Sequence, residues 1–293
     1  MATLKLSPHG SRLHYLTRGR GEPTLLIHGL GSNGADWALQ AAALEPRFRL
    51  IVPDLPGSGY SEPPGKYCIA EIARLLWALL DHLKIQRLNI IGFSLGGAVA
   101  LEMALQRPGC VIRLGLINSL ASYRIDHWRK WLEAWVPAIL IPLFGMRANA
   151  WLVASRLFPQ PWQQALRERA AAVVRAVSGR EYLGLGMALT RWSAIDRLER
   201  LHARSLIIAA EHDYTPLAEK RKMAAAMRAD LVVVRGSRHG TPFDASQAVN
   251  ACLLAMLTDQ PLPPEERWVC DGAPALPGLP FAGTIAEEHA LGP

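Results

Sequence analysis

At 293 residues, with 50% hydrophobic and 19% charged side chains, the chain can bury a large core, so a disordered or fibrous protein is excluded. The net charge of +7 does not point to a nucleic-acid partner: between Ser119 and Arg200 twelve Lys or Arg stand against six Asp or Glu, spread among Trp, Leu and Ala at helical spacing, and a solvated basic face is expected. The longest apolar run, Val136 to Met146, is too short to span a bilayer and contains Pro142, Met1 to Gly10 lacks a secretory signal, and Cys68, Cys110, Cys252 and Cys270 have neither metal-like nor paired spacing, so a cytoplasmic protein with reduced thiols and no bound metal is expected.

In chain order, Leu4 to Leu6 and Leu13 to Thr17 read as short strands joined by the Pro8-His9-Gly10-Ser11 turn. Thr24 to Ile27 is a buried-type strand ending at His28-Gly29-Leu30-Gly31, and Arg49 to Val52 is another, ending at Asp54-Leu55-Pro56-Gly57-Ser58-Gly59. Ile72, Leu75, Leu76, Leu79, Leu80 and Leu83 mark an amphipathic helix over 70–83. Leu88 to Gly92 is a strand, followed by a helix to about Gln106 and a strand over 112–117. Strand and helix alternate after the first hairpin, which predicts a mostly parallel sheet covered on both faces.

From Ser119 to about Asp196 the pattern is helical only, and it holds six of the nine tryptophans. The alternation resumes with strands at 205–209 and 231–234 around a helix at 217–227, and a last helix spans 245–257. The expected organisation is a core from 1–118 and 197–258, a helical cap inserted at 119–196, and a Pro/Gly-rich acidic tail over 259–293 without fixed structure.

The chemistry concentrates at Gly92-Phe93-Ser94-Leu95-Gly96. A strand that ends in Gly-x-Ser-x-Gly and runs straight into a helix is the pattern of a nucleophile elbow, in which small residues two positions either side of the serine let strand and helix approach. Ser94 then stands at a helix N-terminus, whose unpaired N–H groups favour negative charge. A serine hydroxyl needs a base within hydrogen-bond reach, and that base needs a carboxylate to hold its tautomer. In a parallel sheet these come from loops at the carboxyl ends of strands. Two late loops supply them: Glu211-His212-Asp213 and Arg238-His239-Gly240. Ser94, Asp213 and His239 form the expected triad, with His212 the lesser candidate for the base and Glu211 and Asp244 for the acid. Asp54 reads as a turn residue and His28 as a brace. Arg238 faces solvent or lines an anionic substrate region.

With these motifs at these positions, the chain resembles the α/β-hydrolase superfamily over about residues 4–258. The resemblance implies an α/β fold with an eight-stranded sheet, only its second strand antiparallel, and a helical cap after the sixth strand. It also implies an oxyanion hole made by the backbone N–H groups of Leu30 and Leu95, and acyl chemistry without metal or cofactor. Asn118 stands where some relatives carry the acid, and being uncharged it favours Asp213. Serine at the elbow argues against the dehalogenase and epoxide hydrolase branches, which attack with aspartate. The cap tryptophans read first as core; as substrate contacts the candidates are Phe93, Trp128, Trp131, Trp135 and Trp192, facing a hydrophobic group.

The leading expectation is a carboxylic ester hydrolase acting on a small to medium hydrophobic ester or lactone. A carbon–carbon hydrolase of the meta-cleavage type, an acyltransferase, and a low-turnover ligand sensor that keeps the triad stand as alternatives. Peripheral membrane contact through Trp131 to Phe144 is a lesser one. Nothing in the sequence fixes the oligomeric state.

Overall fold

The computed structural model describes residues 2–5, 12–125 and 128–270. Eight strands form one sheet: β1 (Ala2–Lys5), β2 (Arg12–Arg18), β3 (Glu22–Ile27), β4 (Phe48–Pro53), β5 (Leu88–Phe93), β6 (Val111–Ile117), β7 (Arg204–Ala210) and β8 (Asp230–Val234), in the spatial order β1-β2-β4-β3-β5-β6-β7-β8. Only β2 runs antiparallel to its neighbours; from β4 to β8 every pairing is parallel. The first turn expected, at Pro8 to Ser11, lies outside the described residues.

The strands are apolar without interruption because both faces are covered. The period of two sends Leu25, Ile27, Ile51 and Ile90 to one layer and Leu26, Leu50, Val52 and Ile91 to the other. Helices α1 (Ala38–Leu44), α2 (Ile69–His82) and α3 (Leu95–Gln106) follow β3, β4 and β5. The stripe Ile69, Ile72, Ala73, Leu76 and Leu80 of α2 packs on the first layer. Each such fully buried Leu or Ile contributes about 1.5–3 kcal/mol. The short helix α1 carries no period that reveals it in the sequence; Ala38, Ala41 and Leu44 bury it against the second layer.

Between β6 and β7 the chain is helical: α4 (Trp128–Leu157), α5 (Gln164–Ala176) and α6 (Gly179–Thr190). The two ends of this insertion meet at its root, where the Ala194 N–H donates to the Ala121 carbonyl at 2.7 Å and Ser122 bridges Ser193. Glu102 of α3 holds the exit: it accepts from the Trp192 indole at 2.9 Å and from Arg197 at 2.9 Å.

Helix α7 (Leu217–Met227) joins β7 to β8, and after β8 come the single turn α8 (Thr241–Asp244) and α9 (Ser246–Leu257), which packs beside α1 on the second layer. The expected unstructured tail is corrected for its first twelve residues, 259–270. Asp259 pairs with Arg113 and with Arg204 (2.6 Å to the latter), and Arg235, just past β8, bonds both Trp268 (2.8 Å) and Cys270 (2.9 Å) through the main chain. These two bonds form a single parallel bridge between Arg235 and Val269, just beyond the edge strand β8. Residues 271–293 lie outside the described residues.

Candidate active site

Strand β5 ends at Phe93, and the next residue, Ser94, adopts φ 54° and ψ −116° before α3 begins. A non-glycine residue held there costs about 1–3 kcal/mol unless its surroundings enforce it. They do. The Ser94 N–H donates to the Ile117 carbonyl at 2.9 Å, and its own carbonyl accepts from the Gly97 N–H and the Ser119 hydroxyl, both at 2.9 Å. The two flanking glycines are steric necessities: a Cβ on Gly96 would lie 2.1 Å from the Ile27 carbonyl oxygen, and one on Gly92 would lie 2.4 Å from that of Gly96.

His239 reaches this serine from the loop after β8. Its Nε2 lies 2.9 Å from Ser94 Oγ, and its Nδ1 lies 2.7 Å from Asp213 Oδ1. A carboxylate only accepts, so Nδ1 carries the hydrogen and Nε2 accepts the serine hydroxyl proton. The rings of Tyr214 and Phe93 lie against the imidazole, with centroids 4.2 and 5.2 Å away.

Asp213 is fastened on every side. Its Oδ1 accepts from the Thr215 N–H at 3.2 Å, and its Oδ2 takes the Thr215 hydroxyl and the Lys220 ammonium. Burial alone would raise the Asp213 pKa, but the facing His239 ring and the Lys220 charge outweigh it and hold the carboxyl well below its usual range. Lys220 has no solvent exposure and also reaches Asn118 Oδ1 at 3.3 Å. Asn118, at φ 47° directly after β6, ties three segments together. Its Oδ1 accepts from the Ala210 N–H at 2.8 Å, and its Nδ2 donates to the His239 carbonyl at 2.9 Å and the Thr241 hydroxyl at 2.7 Å.

The sequence reading missed Ser119 and Lys220. The available signal for Lys220 was a lysine on the apolar stripe of α7, in register with Met223, Ala224 and Met227, all buried.

The remaining candidates fall elsewhere. His212 is exposed, 3.6 Å from Glu211, and Glu211 accepts from the Gly236 N–H. Asp244 is buried against Ser237 (2.7 Å) and Gln163 (3.1 Å). Asp54 shapes its turn, accepting from the main-chain N–H groups of Gly34 (2.8 Å) and Tyr60 (2.9 Å). His28 braces the loop that carries Leu30: its Nδ1–H donates to the Gly29 carbonyl at 2.8 Å and its Nε2 accepts the Leu55 N–H at 2.9 Å. Burial lowers the His28 pKa, which keeps the ring neutral as this bonding requires.

Above Ser94 and His239 lies a cavity of about 780 Å³ whose wall is mostly apolar. Leu30 lines it, and Leu95 is the first residue of α3, so its N–H has no acceptor within the helix. Of the five expected substrate contacts only Phe93 lines it among the described residues. Trp128 and Trp135 are instead 63% and 43% exposed on the outside of the cap. Trp192 is core, drawn inward by the carboxylate of Glu102. The Trp131 side chain lies outside the described residues. The wall is built from Leu120, Tyr123, Val136, Leu152, Val153 and Tyr182, with Asn149, Arg156 and Glu219 as its polar points; Arg238 is absent from it.

A protein of Mycobacterium tuberculosis, itself uncharacterised, is 43% identical over 112 residues, 38% of this chain and 33% of that protein, so the chain aligns with only a third of its length. A provisionally named carbamate hydrolase of Pseudomonas syringae pv. syringae is 32% identical over 249 residues, 82% of this chain and 95% of the relative. Among solved structures, the enol-lactonase of Burkholderia xenovorans LB400 superposes with a TM-score of 0.80 at 26% identity, over 88% of this chain and all of that one (100%). The family model for the alpha/beta hydrolase fold matches residues 22–246, and with the sheet order in place the chain belongs to the α/β-hydrolase family.

Proposed function

We propose that the chain is a serine hydrolase that cleaves a carboxylic ester or lactone of small to medium hydrophobic substrates through an acyl-enzyme on Ser94. One observation carries this reading: the continuous hydrogen-bond chain from Ser94 Oγ through His239 to Asp213 opens onto a largely apolar cavity.

In this reading the Ser94 hydroxyl attacks the carbonyl carbon while His239 Nε2 takes its proton. The oxyanion forms against the N–H groups of Leu30 and Leu95, at the positive end of α3. Collapse breaks the carbon–oxygen bond, and His239 returns the proton to the leaving alcohol. Water then attacks the acyl-enzyme by the same route and frees Ser94. Asp213 stays ionised throughout and stabilises the imidazolium. A lactone follows the same steps, with both products on one molecule.

The test is hydrolysis of p-nitrophenyl esters from acetate to laurate with the parent and Ser94→Ala. Turnover should depend on Ser94 and fall by at least about a thousandfold in the variant. A fluorophosphonate should label the parent alone. Ester turnover by Ser94→Ala at the parent rate would refute the acyl-enzyme, and failure of both turnover and labelling in the folded parent would refute the function.

A further inference from the structure

Helix α4 is apolar on two opposite sides. Its inner side, with Val136, Pro137, Leu152 and Val153, lines the cavity. Its outer side carries Trp135, Ile139, Leu143, Phe144 and Trp151, and the last three are 68%, 66% and 69% exposed. A helix that is hydrophobic all round belongs in a core or in lipid. Among the described residues little covers Ile139, Leu143, Phe144 and Trp151: in the most apolar 18-residue stretch within Trp135–Leu157 only 11% is buried. Exposed apolar surface on this scale marks an interaction site.

The form of the helix rules out crossing a bilayer. The backbone breaks at Gly145 (φ 72°, ψ 178°), Pro137 and Pro142 interrupt the first half, and the inner side is committed to the cavity. Such a segment lies along a surface instead of spanning it. Its charges indicate which surface. From Ala134 to Arg167 there is no Asp or Glu, while Arg147 is exposed on the second half and Arg156 belongs to the cavity wall. With no acidic residue in this stretch to balance Arg147, an anionic surface is the one that neutralises it. Tryptophan beside exposed aliphatic side chains, with arginine at the margin, is the composition that settles at the headgroup boundary.

We propose that the outer face of α4 docks on the surface of an anionic lipid bilayer, with Ile139, Leu143 and Phe144 in the acyl boundary and Arg147 among the headgroups. The cavity wall is the other side of the same helix, so docking sets the hydrolase pocket one helix away from lipid. The docking itself does not depend on the reaction proposed above and is read without it.

The experiment uses the full chain and sucrose-loaded vesicles of phosphatidylcholine alone or mixed with phosphatidylglycerol. The parent should pellet with the mixed vesicles, less so as salt rises, and its tryptophan emission should be quenched when the lipid is brominated. Leu143→Asp with Phe144→Asp should lower the bound fraction at least tenfold, and Arg147→Glu should weaken binding to the anionic vesicles selectively. Leu143 and Phe144 lie outside the cavity wall, so the double variant should melt at the parent temperature and hydrolyse p-nitrophenyl acetate unchanged. Absence of pelleting with either vesicle, or equal pelleting of the double variant, overturns the proposal. So does a parent dimer in lipid-free light scattering that the double variant converts to monomer, because a second copy would then cover the face.

Discussion

Replacing Lys220 by methionine tests how the acid of the candidate site is held. The change keeps length and approximate volume and removes only the ammonium, so no cavity term confuses the result. Lys220 and Asp213 have side-chain exposures of 0% and 1%, which sets this pair apart from exposed ion pairs worth about 0.2–1 kcal/mol. At an effective dielectric constant of about 20, charges in contact interact by about 4 kcal/mol, and breaking a buried pair by deleting one partner costs about 3–5 kcal/mol. For a chain of this size, at roughly 2–3 °C per kcal/mol, the melting temperature should fall by about 6–15 °C. Urea unfolding at pH 7, followed by tryptophan fluorescence, measures the difference directly.

The sign of the pH dependence follows from the same contact. The Asp213 carboxyl is depressed below its unfolded value of about 3.9, so its stabilising contribution is complete above roughly pH 5 and is lost as pH falls toward the folded value. Without Lys220 the folded value rises, and acid unfolding should begin at higher pH. A double variant, Asp213→Asn with Lys220→Met, leaves neither charge unpaired and should recover at least about 2 kcal/mol relative to the sum of the single effects. Lys220→Met within about 0.5 kcal/mol of the parent, with an additive double variant, would refute the reasoning.

Other perturbations probe the elbow, the cap root and the brace. Gly96→Ala forces a Cβ to 2.1 Å from a main-chain oxygen, so either the elbow opens or the protein fails to fold; loss of fluorophosphonate labelling in whatever folded protein is recovered checks this. Arg197→Met leaves the buried Glu102 carboxylate with Trp192 as its main remaining donor. Because Arg197 is itself one-third exposed, the loss should be only about 1–2 kcal/mol, read by urea unfolding. His28→Gln should flatten the stability–pH curve. The His28 pKa is lowered in the fold, so the parent loses stability as pH falls below about 6.5, and removing that proton should reduce the slope by up to about 1.4 kcal/mol per pH unit.

Much of the fold was legible because it rests on local rules. Apolar runs bounded by turns marked β3 to β8 to within one or two residues, and the heptad-like leucines marked α2. Gly92-x-Ser94-x-Gly96 marked the elbow because a Cβ at either glycine would fall 2.1–2.4 Å from a main-chain oxygen, and only glycine avoids it. The chain order Ser94, Asp213, His239 followed from counting which strands end in a loop that bears the right side chain. These are statements about neighbours in sequence.

What the sequence could not reveal depends on partners far apart along the chain. Lys220 meets Asn118 across 102 positions, and Asn118 meets His239 across 121, so neither contact leaves a periodic trace. The tryptophans show the same limit. Composition marked the cap as apolar, but the direction of each indole depends on its packing: Trp192 is buried with its N–H on Glu102, whereas Trp151, beyond the break at Gly145, is exposed. Sequence alone therefore determined the sheet, the elbow and the identity of the candidate nucleophile, because steric and periodic constraints act within a few residues. The lining of the cavity, the buried cation behind the acid and the exposure of Leu143, Phe144 and Trp151 among the described residues were decided only by tertiary packing, because each is a relation between surfaces that exist after the chain has folded.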